Sequence, residues 1–284
     1  MLVMGYMSGT SLDGVDVALV ETDGERIAAF GPGAMTAYSA PERDALEKAT
    51  RDALVWNGYG ARPHSFALAA EVIEAAHLRA GELVIARAGR RPDLVGFHGQ
   101  TLLHRPERRL SVQIGDPQVL ADALGVSVVA QMRQDDLLAG GQGAPLVPAY
   151  HAALAERLGL AGPIAFLNLG GVANLTWIGA DGSLVAFDTG PGNGLIDQVV
   201  QARGAGRYDE GGRIAAAGTV DAAVLAALLE HEHFRGSGPK SLDRYDFPLE
   251  WAGARSLEDA AATLTAFTAV SYTHLRAHET EADL

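Results

Sequence analysis

The chain has 284 residues, 48% of them hydrophobic, no cysteine and a formal net charge of −13. That length supports one large or two medium domains, and the acid surplus argues against nucleic acid, whose phosphates call for clustered Lys and Arg. Absent cysteine removes disulfides and thiolate metal sites and fits a reducing compartment.

The N-terminus carries no basic region, its first apolar run breaks at Ser8, and no stretch reaches about 18 uninterrupted apolar residues. Neither a signal peptide nor a membrane partner is expected, and the expected location is cytoplasmic.

In chain order, Met1 to Met7 is an apolar strand that enters Ser8-Gly9-Thr10-Ser11-Leu12-Asp13-Gly14 and leaves through Val15, Val17 and Leu19. This is a β-hairpin pattern with small hydrogen-bonding residues in the turn. Gly9 and Gly14 permit close backbone approach, and Ser8, Thr10 and Ser11 add hydroxyls, a set that suits a polyphosphate as well as an ordinary polar tip.

Asp23-Gly24 is a second turn and Arg26 to Phe30 a third strand. Asp44 to Val55 and Ser65 to Ala88 have helical periodicity. Asp93 to Phe97 predicts a short strand ending at His98-Gly99-Gln100-Thr101, followed by a strand at Leu110 to Ile114, a helix at Pro117 to Leu124 and a strand at Val126 to Val129. Alternation of this kind indicates an α/β fold.

Arg133 to Pro148 reads as an acidic, Gly-rich loop, then a helix to about Leu158, with a domain boundary at Gly159 to Pro163. Past it the opening pattern returns: a strand to Leu169, a Gly170-Gly171 turn, a strand at Val172 to Ile178, an Asp181-Gly182 turn and a strand at Leu184 to Phe187. The repetition suggests two related α/β domains, 1–160 and 161–270, with ligands in the cleft between them.

Helices are further expected at Leu195 to Ala202, Gly211 to Ala217, Val220 to His233 and Leu257 to Val270, with a loop at Gly236 to Pro248. From Ser271 the texture shifts to His, Thr, Arg and Glu, and residues 271–284 read as a non-native tail of adaptor read-through type. His274 and His278 lie four apart without a third ligand, so no metal site is assigned to them.

Asp188 stands at the end of an apolar strand before a Thr-Gly-Pro-Gly-Asn turn, where a base can meet a hydroxyl or a water; an Asx-turn role is the alternative. Arg133 could clamp an anion or pair with Asp136. His98 reads as a core histidine, and His231 and His233 as a solvated helix face.

Taken together, several of these motifs resemble one family, the anhydro-N-acetylmuramic acid kinases. The resemblance rests on Met7 to Asp16, His98-Gly99-Gln100-Thr101, Ala139 to Leu146, Asn168-Leu169-Gly170-Gly171-Val172-Ala173-Asn174 and Phe187 to Asn193, extended by Lys240-Ser241-Leu242-Asp243-Arg244. Gln131-Met132 departs from the Asn-Phe usual before Arg133.

The resemblance implies a two-domain fold of the sugar kinase, heat-shock protein and actin superfamily, ribonuclease H-like in its α/β units. It implies ATP and Mg²⁺ as cofactors and a homodimer. The reaction implied is opening of the 1,6-anhydro bond by water with phosphorylation of O6, giving N-acetylmuramic acid 6-phosphate in cell-wall recycling.

ATP would be held by Gly9, Thr10, Ser11, Leu12, Asp13, Gly14, Val15 and Asp16, opposed by Gly170 and Gly171. By the same resemblance Asp188 is the general base, and Thr101 and Arg133 hold the sugar and its lactyl carboxylate. Metal ligands stay open, with Asp13 and Asp16 as candidates. The family's C-terminal segment, with a Gly-Gly-Gly adenosine loop and a substrate-contacting Glu, has no counterpart in residues 271–284. Two alternatives remain: another sugar kinase of the superfamily, or a nucleotide-binding module without phosphotransfer.

Overall fold

The computed structural model describes residues 1–9, 11–235, 240–242 and 246–281. The chain separates into two compact units, Met1–Ala161 and Gly162–Leu284.

The first unit opens with an antiparallel meander of β1 (Leu2–Met7), β2 (Gly14–Thr22) and β3 (Ile27–Ala37). Its register puts Met7 opposite Asp16, which brings the two ends of the Ser8–Asp13 turn together. Period-two alternation buries Leu2, Met4 and Tyr6 of β1 and Val15, Val17 and Leu19 of β2.

Against that buried face pack α1 (Ala40–Trp56) and α2 (Ser65–Ala88), whose Leu46, Ala49 and Ala53, and Ile73, Ala76, Ala80 and Val84, recur at helical spacing. The Glu42 carboxylate accepts the Ser39 N–H at 2.8 Å and pairs with Arg79 of α2 at 2.6 Å, so one side chain caps α1 and ties it to α2.

Short β4 (Leu94–Gly96) lies parallel to β1. The chain then forms β5 (Gln100–Arg105) and antiparallel β6 (Leu110–Ile114), then α3 (Pro117–Leu124) and β7 (Val128–Val129), which pairs parallel with β4. The five-stranded order is β3-β2-β1-β4-β7, with β5 and β6 as a separate two-stranded sheet. The unit closes with α4 (Met132–Leu138) and α5 (Pro148–Arg157).

The second unit repeats the meander as β8 (Ile164–Leu169), β9 (Val172–Ile178) and β10 (Leu184–Pro191), in the order β10-β9-β8. After it come α6 (Gly194–Ala202), α7 (Arg213–Ala216), α8 (Ala222–Leu229) and α9 (Leu257–Glu281). Phe187, Leu195, Val199, Phe234, Phe247, Leu264 and Phe267 form its core. Phe234, Phe247 and Phe267 meet with ring centroids 5.1 to 6.0 Å apart, the spacing of favourable aromatic pairs.

One strand was not expected and three expectations need correction. Gln100 to Arg105 is a strand, because Leu102 and Leu103 are buried and Gln100 to Arg105 pairs with β6. The expected loop from Arg133 begins as helix α4, anchored by buried Leu137. β10 runs through Pro191, so Asp188 lies inside the strand beside an irregularity between Asp188 and Gly190. The last helix continues past Val270 to Glu281: buried Ala260, Leu264, Phe267 and Ser271 share one face, and no Gly or Pro interrupts residues 271–281.

Candidate active site

In the first unit the turn between β1 and β2 is braced from below by side chains. Buried Ser8 donates its hydroxyl hydrogen to Gln100 Oε1, so the Tyr38 hydroxyl is the donor across the 2.8 Å to Ser8 Oγ. Gln100 Nε2 donates in turn to the Gly9 carbonyl at 3.2 Å. Burial pushes the Tyr38 phenol up to about 12, which keeps it a donor at neutral pH. The first residue of β5 thereby holds the first residues of the turn.

The expected phosphate-binding residues divide into distinct roles. Leu12 and Val15 are buried in the core, so only their backbone can face a ligand. Leu12 takes a left-handed conformation, with φ 53°, and its N–H bonds to the Gly9 carbonyl at 3.3 Å. Gly14 is required by the sheet, since a Cβ there would meet the Thr36 carbonyl. At Gly9 a Cβ would meet nothing nearer than Ser11 Oγ at 3.4 Å, an ordinary contact. Folding does not demand glycine at position 9. Thr10 lies outside the described residues.

Ser11 Oγ donates to Asp13 Oδ1 at 2.7 Å. Asp13 and Asp16 are both exposed on the turn side of β2, and the Asp16 carboxyl is raised by partial burial and then by the charge of Asp13. The charge of Asp13 thus acts on the Asp16 carboxyl, and both side chains are hard oxygen donors of the kind a divalent cation takes.

On β5, Thr101 is half-buried and its Oγ1 accepts from Gln113 Nε2 of β6 at 3.3 Å. Arg133, in the first turn of α4, is half-buried and packs under Gly143, where φ is 70° and a Cβ would press on the Arg133 stem. Asp136 accepts the Gly143 N–H at 2.7 Å, which folds the loop back over α4.

Burial, reinforced by the Arg133 guanidinium, holds both His98 and His104 down to about 4. The Arg133 charge therefore acts on both imidazoles, of which His104 is buried on β5 while His98 and Thr101 are half-buried. His98, expected as a core histidine, is half-buried with a weak contact from Nε2 to Met7 Sδ at 3.4 Å.

In the second unit the Gly170-Gly171 tip is fixed by its own backbone. The Gly170 carbonyl accepts from Asn193 N–H at 2.8 Å, and the Gly171 carbonyl accepts from Gly192 and Gly194 N–H, both at 3.1 Å. A Cβ at Gly192 would fall on the Gly170 carbonyl oxygen, and one at Gly194 would press on Gly171. Glycines 192 and 194 exist to let the start of α6 seat on the hairpin tip.

Asp188 is buried and held on three sides. Its N–H donates to the Lys240 carbonyl at 2.9 Å, its carboxylate Oδ2 accepts the Leu242 N–H at 2.8 Å, and its carbonyl lies 2.7 Å from His233 Nε2. Burial, then the charges of Lys240 and His231, holds His233 down to about 4. Sequence periodicity placed His233 on a solvated helix; α8 instead ends at Leu229 and His233 turns inward from a short 3-10 turn, Glu232–Phe234. No Gly or Pro marks the helix end at Leu229, and the apolar neighbour Phe234 was the one sign that this end of the segment is buried. Of the Lys240 to Arg244 motif, Asp243 and Arg244 lie outside the described residues.

A family model described as "Anhydro-N-acetylmuramic acid kinase" matches residues 1–283. An anhydro-N-acetylmuramic acid kinase of Phenylobacterium zucineum is 51% identical over 95% of this chain and 75% of its own length. Those of Caulobacter vibrioides, 51% identical over 95% and 74%, and Methylorubrum extorquens, 49% over 94% and 74%, are similar to the same extent. Among solved structures, an exopolyphosphatase-like protein aligns over 97% of this chain and 90% of its own at 13% identity and a TM-score of 0.40, too distant to inform the site.

Proposed function

The chain belongs to the anhydro-N-acetylmuramic acid kinase family, and from that premise we propose that it uses ATP to open 1,6-anhydro-N-acetylmuramic acid with water and to phosphorylate O6. What carries the reading is 51% identity to a named kinase along 95% of the chain.

Asp188 is the general base. A buried carboxylate with one oxygen pinned by the Leu242 N–H has a fixed aim, and it takes a proton from the water that attacks C1. The departing O6 is the acceptor of the γ-phosphoryl group. Phosphoryl transfer asks the protein mainly for positioning and charge neutralisation. In this reading the Ser8 to Asp16 turn binds the phosphates, with Gly9 leaving room for close approach, and Gly170 and Gly171 are likewise assigned to ATP. Asp13 and Asp16 would hold Mg²⁺, which when bound neutralises phosphate charge. Arg133 pairs with the lactyl carboxylate while Thr101 bonds a sugar hydroxyl.

The reading carries with it two domains, 1–160 and 161–270, that supply the phosphate turn and the base respectively. It also carries a cytoplasmic homodimer acting on small molecules rather than nucleic acid or membranes. Among the described residues no helix is long and apolar enough to cross a membrane.

The test is incubation with Mg-ATP and the anhydro sugar, followed by mass analysis. Formation of N-acetylmuramic acid 6-phosphate is expected. Phosphorylation of ordinary hexoses with the anhydro sugar untouched would overturn the substrate assignment.

A further inference from the structure

Among the described residues β10 is an edge strand of its sheet, and along such a strand every second residue directs its N–H and C=O away from the ladder. At Asp188, opposite Asn174 of β9, those outward groups are the N–H bonded to the Lys240 carbonyl and the C=O that meets His233 Nε2 at 2.7 Å. The next residues break register, since Asp188 pairs with Asn174 while Gly190 pairs with Ala173, leaving Thr189 as the extra residue. A carboxylate mounted beside a bulge on an edge strand has little in the ladder to fix its direction. Among the described residues His233, Lys240 and Leu242 contact Asp188 there, Lys240 and Leu242 through their backbone and His233 through its side chain.

The chemistry of that contact is one-sided. A carbonyl oxygen only accepts, so Nε2 must carry the hydrogen, and the imidazole is held in the Nε2–H tautomer. The ring is itself locked edge-on against Phe234, at a centroid distance of 5.4 Å, and Phe234 packs on Phe247 and Phe267. The aromatic core of the second unit is therefore coupled to the Asp188 backbone through one hydrogen bond. Burial and the flanking Lys240 and His231 hold the imidazole neutral at pH 7.

We propose that His233 is a positioning residue for the reaction, aiming the Asp188 carboxylate by donating Nε2–H to the Asp188 carbonyl. The proposal rests on Asp188 being the base. Nothing in it requires His233 to touch a substrate.

The experiment compares His233→Phe, His233→Gln and Asp188→Asn in steady-state turnover of Mg-ATP and the anhydro sugar, with thermal midpoints alongside. His233→Phe keeps the ring volume and loses the donor; kcat should fall at least tenfold with both KM values within twofold. His233→Gln keeps an N–H donor at similar reach and should recover kcat to within about threefold of the parent. Parent-like kcat in His233→Phe, or equal losses in Phe and Gln variants of unchanged midpoint, would overturn the proposal. Turnover retained by Asp188→Asn would instead overturn the base assignment beneath it. Should His233→Phe fail to fold, ¹H–¹⁵N correlation of the parent imidazole decides. A slowly exchanging Nε2–H that does not titrate between pH 5.5 and 8 is expected, and an Nδ1–H tautomer or titration near 6.5 would refute the bond.

Discussion

The two meanders share a plan and differ in how their turns are held. In the β1–β2 turn side chains add to the backbone bonds Leu12 N–H to Gly9 and Tyr38 N–H to Asp13: Tyr38, Ser8 and Gln100 are bonded in series, and Gln100 reaches the Gly9 carbonyl. In the β8–β9 turn the brace is backbone, with the Gly170 and Gly171 carbonyls accepting N–H groups of residues 192–194. A turn braced from below by side chains leaves its own glycine unburdened, as the ordinary 3.4 Å contact at Gly9 shows. A turn braced by backbone needs glycine in the segment packed on it. Glycine in the first turn is thus available for a ligand, and glycine beside the second serves packing.

The largest expected effect lies on the strand next to the second turn. Asp188→Asn should keep ATP affinity and lower turnover by ~10²–10⁴, the usual worth of a positioned base; turnover within threefold of the parent would remove Asp188 from the mechanism. Next comes Gly192→Ala, whose Cβ would land on the Gly170 carbonyl oxygen. Urea unfolding should show a loss of about 3 kcal/mol, the upper range of overpacking, and a loss near zero would mean that the second turn is not backbone-braced.

Gln100→Leu tests the other brace. It strands the buried Ser8 hydroxyl and the Gly9 carbonyl, which should cost about 2 kcal/mol of stability. ATP affinity should fall about tenfold with the loosened turn, as read by calorimetric titration. Unchanged ATP affinity would separate the brace from the nucleotide. The smallest effect on folding belongs to Gly9→Ala, within about 0.5 kcal/mol of the parent. ATP binding should nonetheless weaken severalfold, and an unaltered dissociation constant would argue against the phosphate turn.

Both meanders were legible from alternation and turn residues, because an apolar face with period two leaves few other folds for such short segments. Leu110–Ile114, Pro117–Leu124 and Val172–Ile178 fall where the pattern placed them. What escaped was held by contacts between distant residues. β5 begins inside His98-Gly99-Gln100-Thr101, where the preceding strand was expected to end, and it is defined by its pairing with β6. α4 is an acidic segment with one buried anchor, Leu137, too little for periodicity to register.

Asp188 was visible as a carboxylate beside a strand, yet its clamp was not, since Lys240 and Leu242 lie more than fifty positions along and bond through backbone. His233 was misplaced for a related reason: its partner is a carbonyl 45 residues away, and no local pattern records that. The Gln100 brace escaped in the same manner, 92 positions from Ser8.

The central claim is that this chain couples hydrolytic opening of an anhydro sugar to phosphoryl transfer. Running the reaction with Mg-ATP in ¹⁸O-labelled water, and locating the label by mass spectrometry, tests it most directly. The account predicts one ¹⁸O at C1 of a sugar 6-phosphate and none in the transferred phosphoryl group. Label in the phosphate, or a phosphorylated sugar whose anhydro bond is intact, would contradict it.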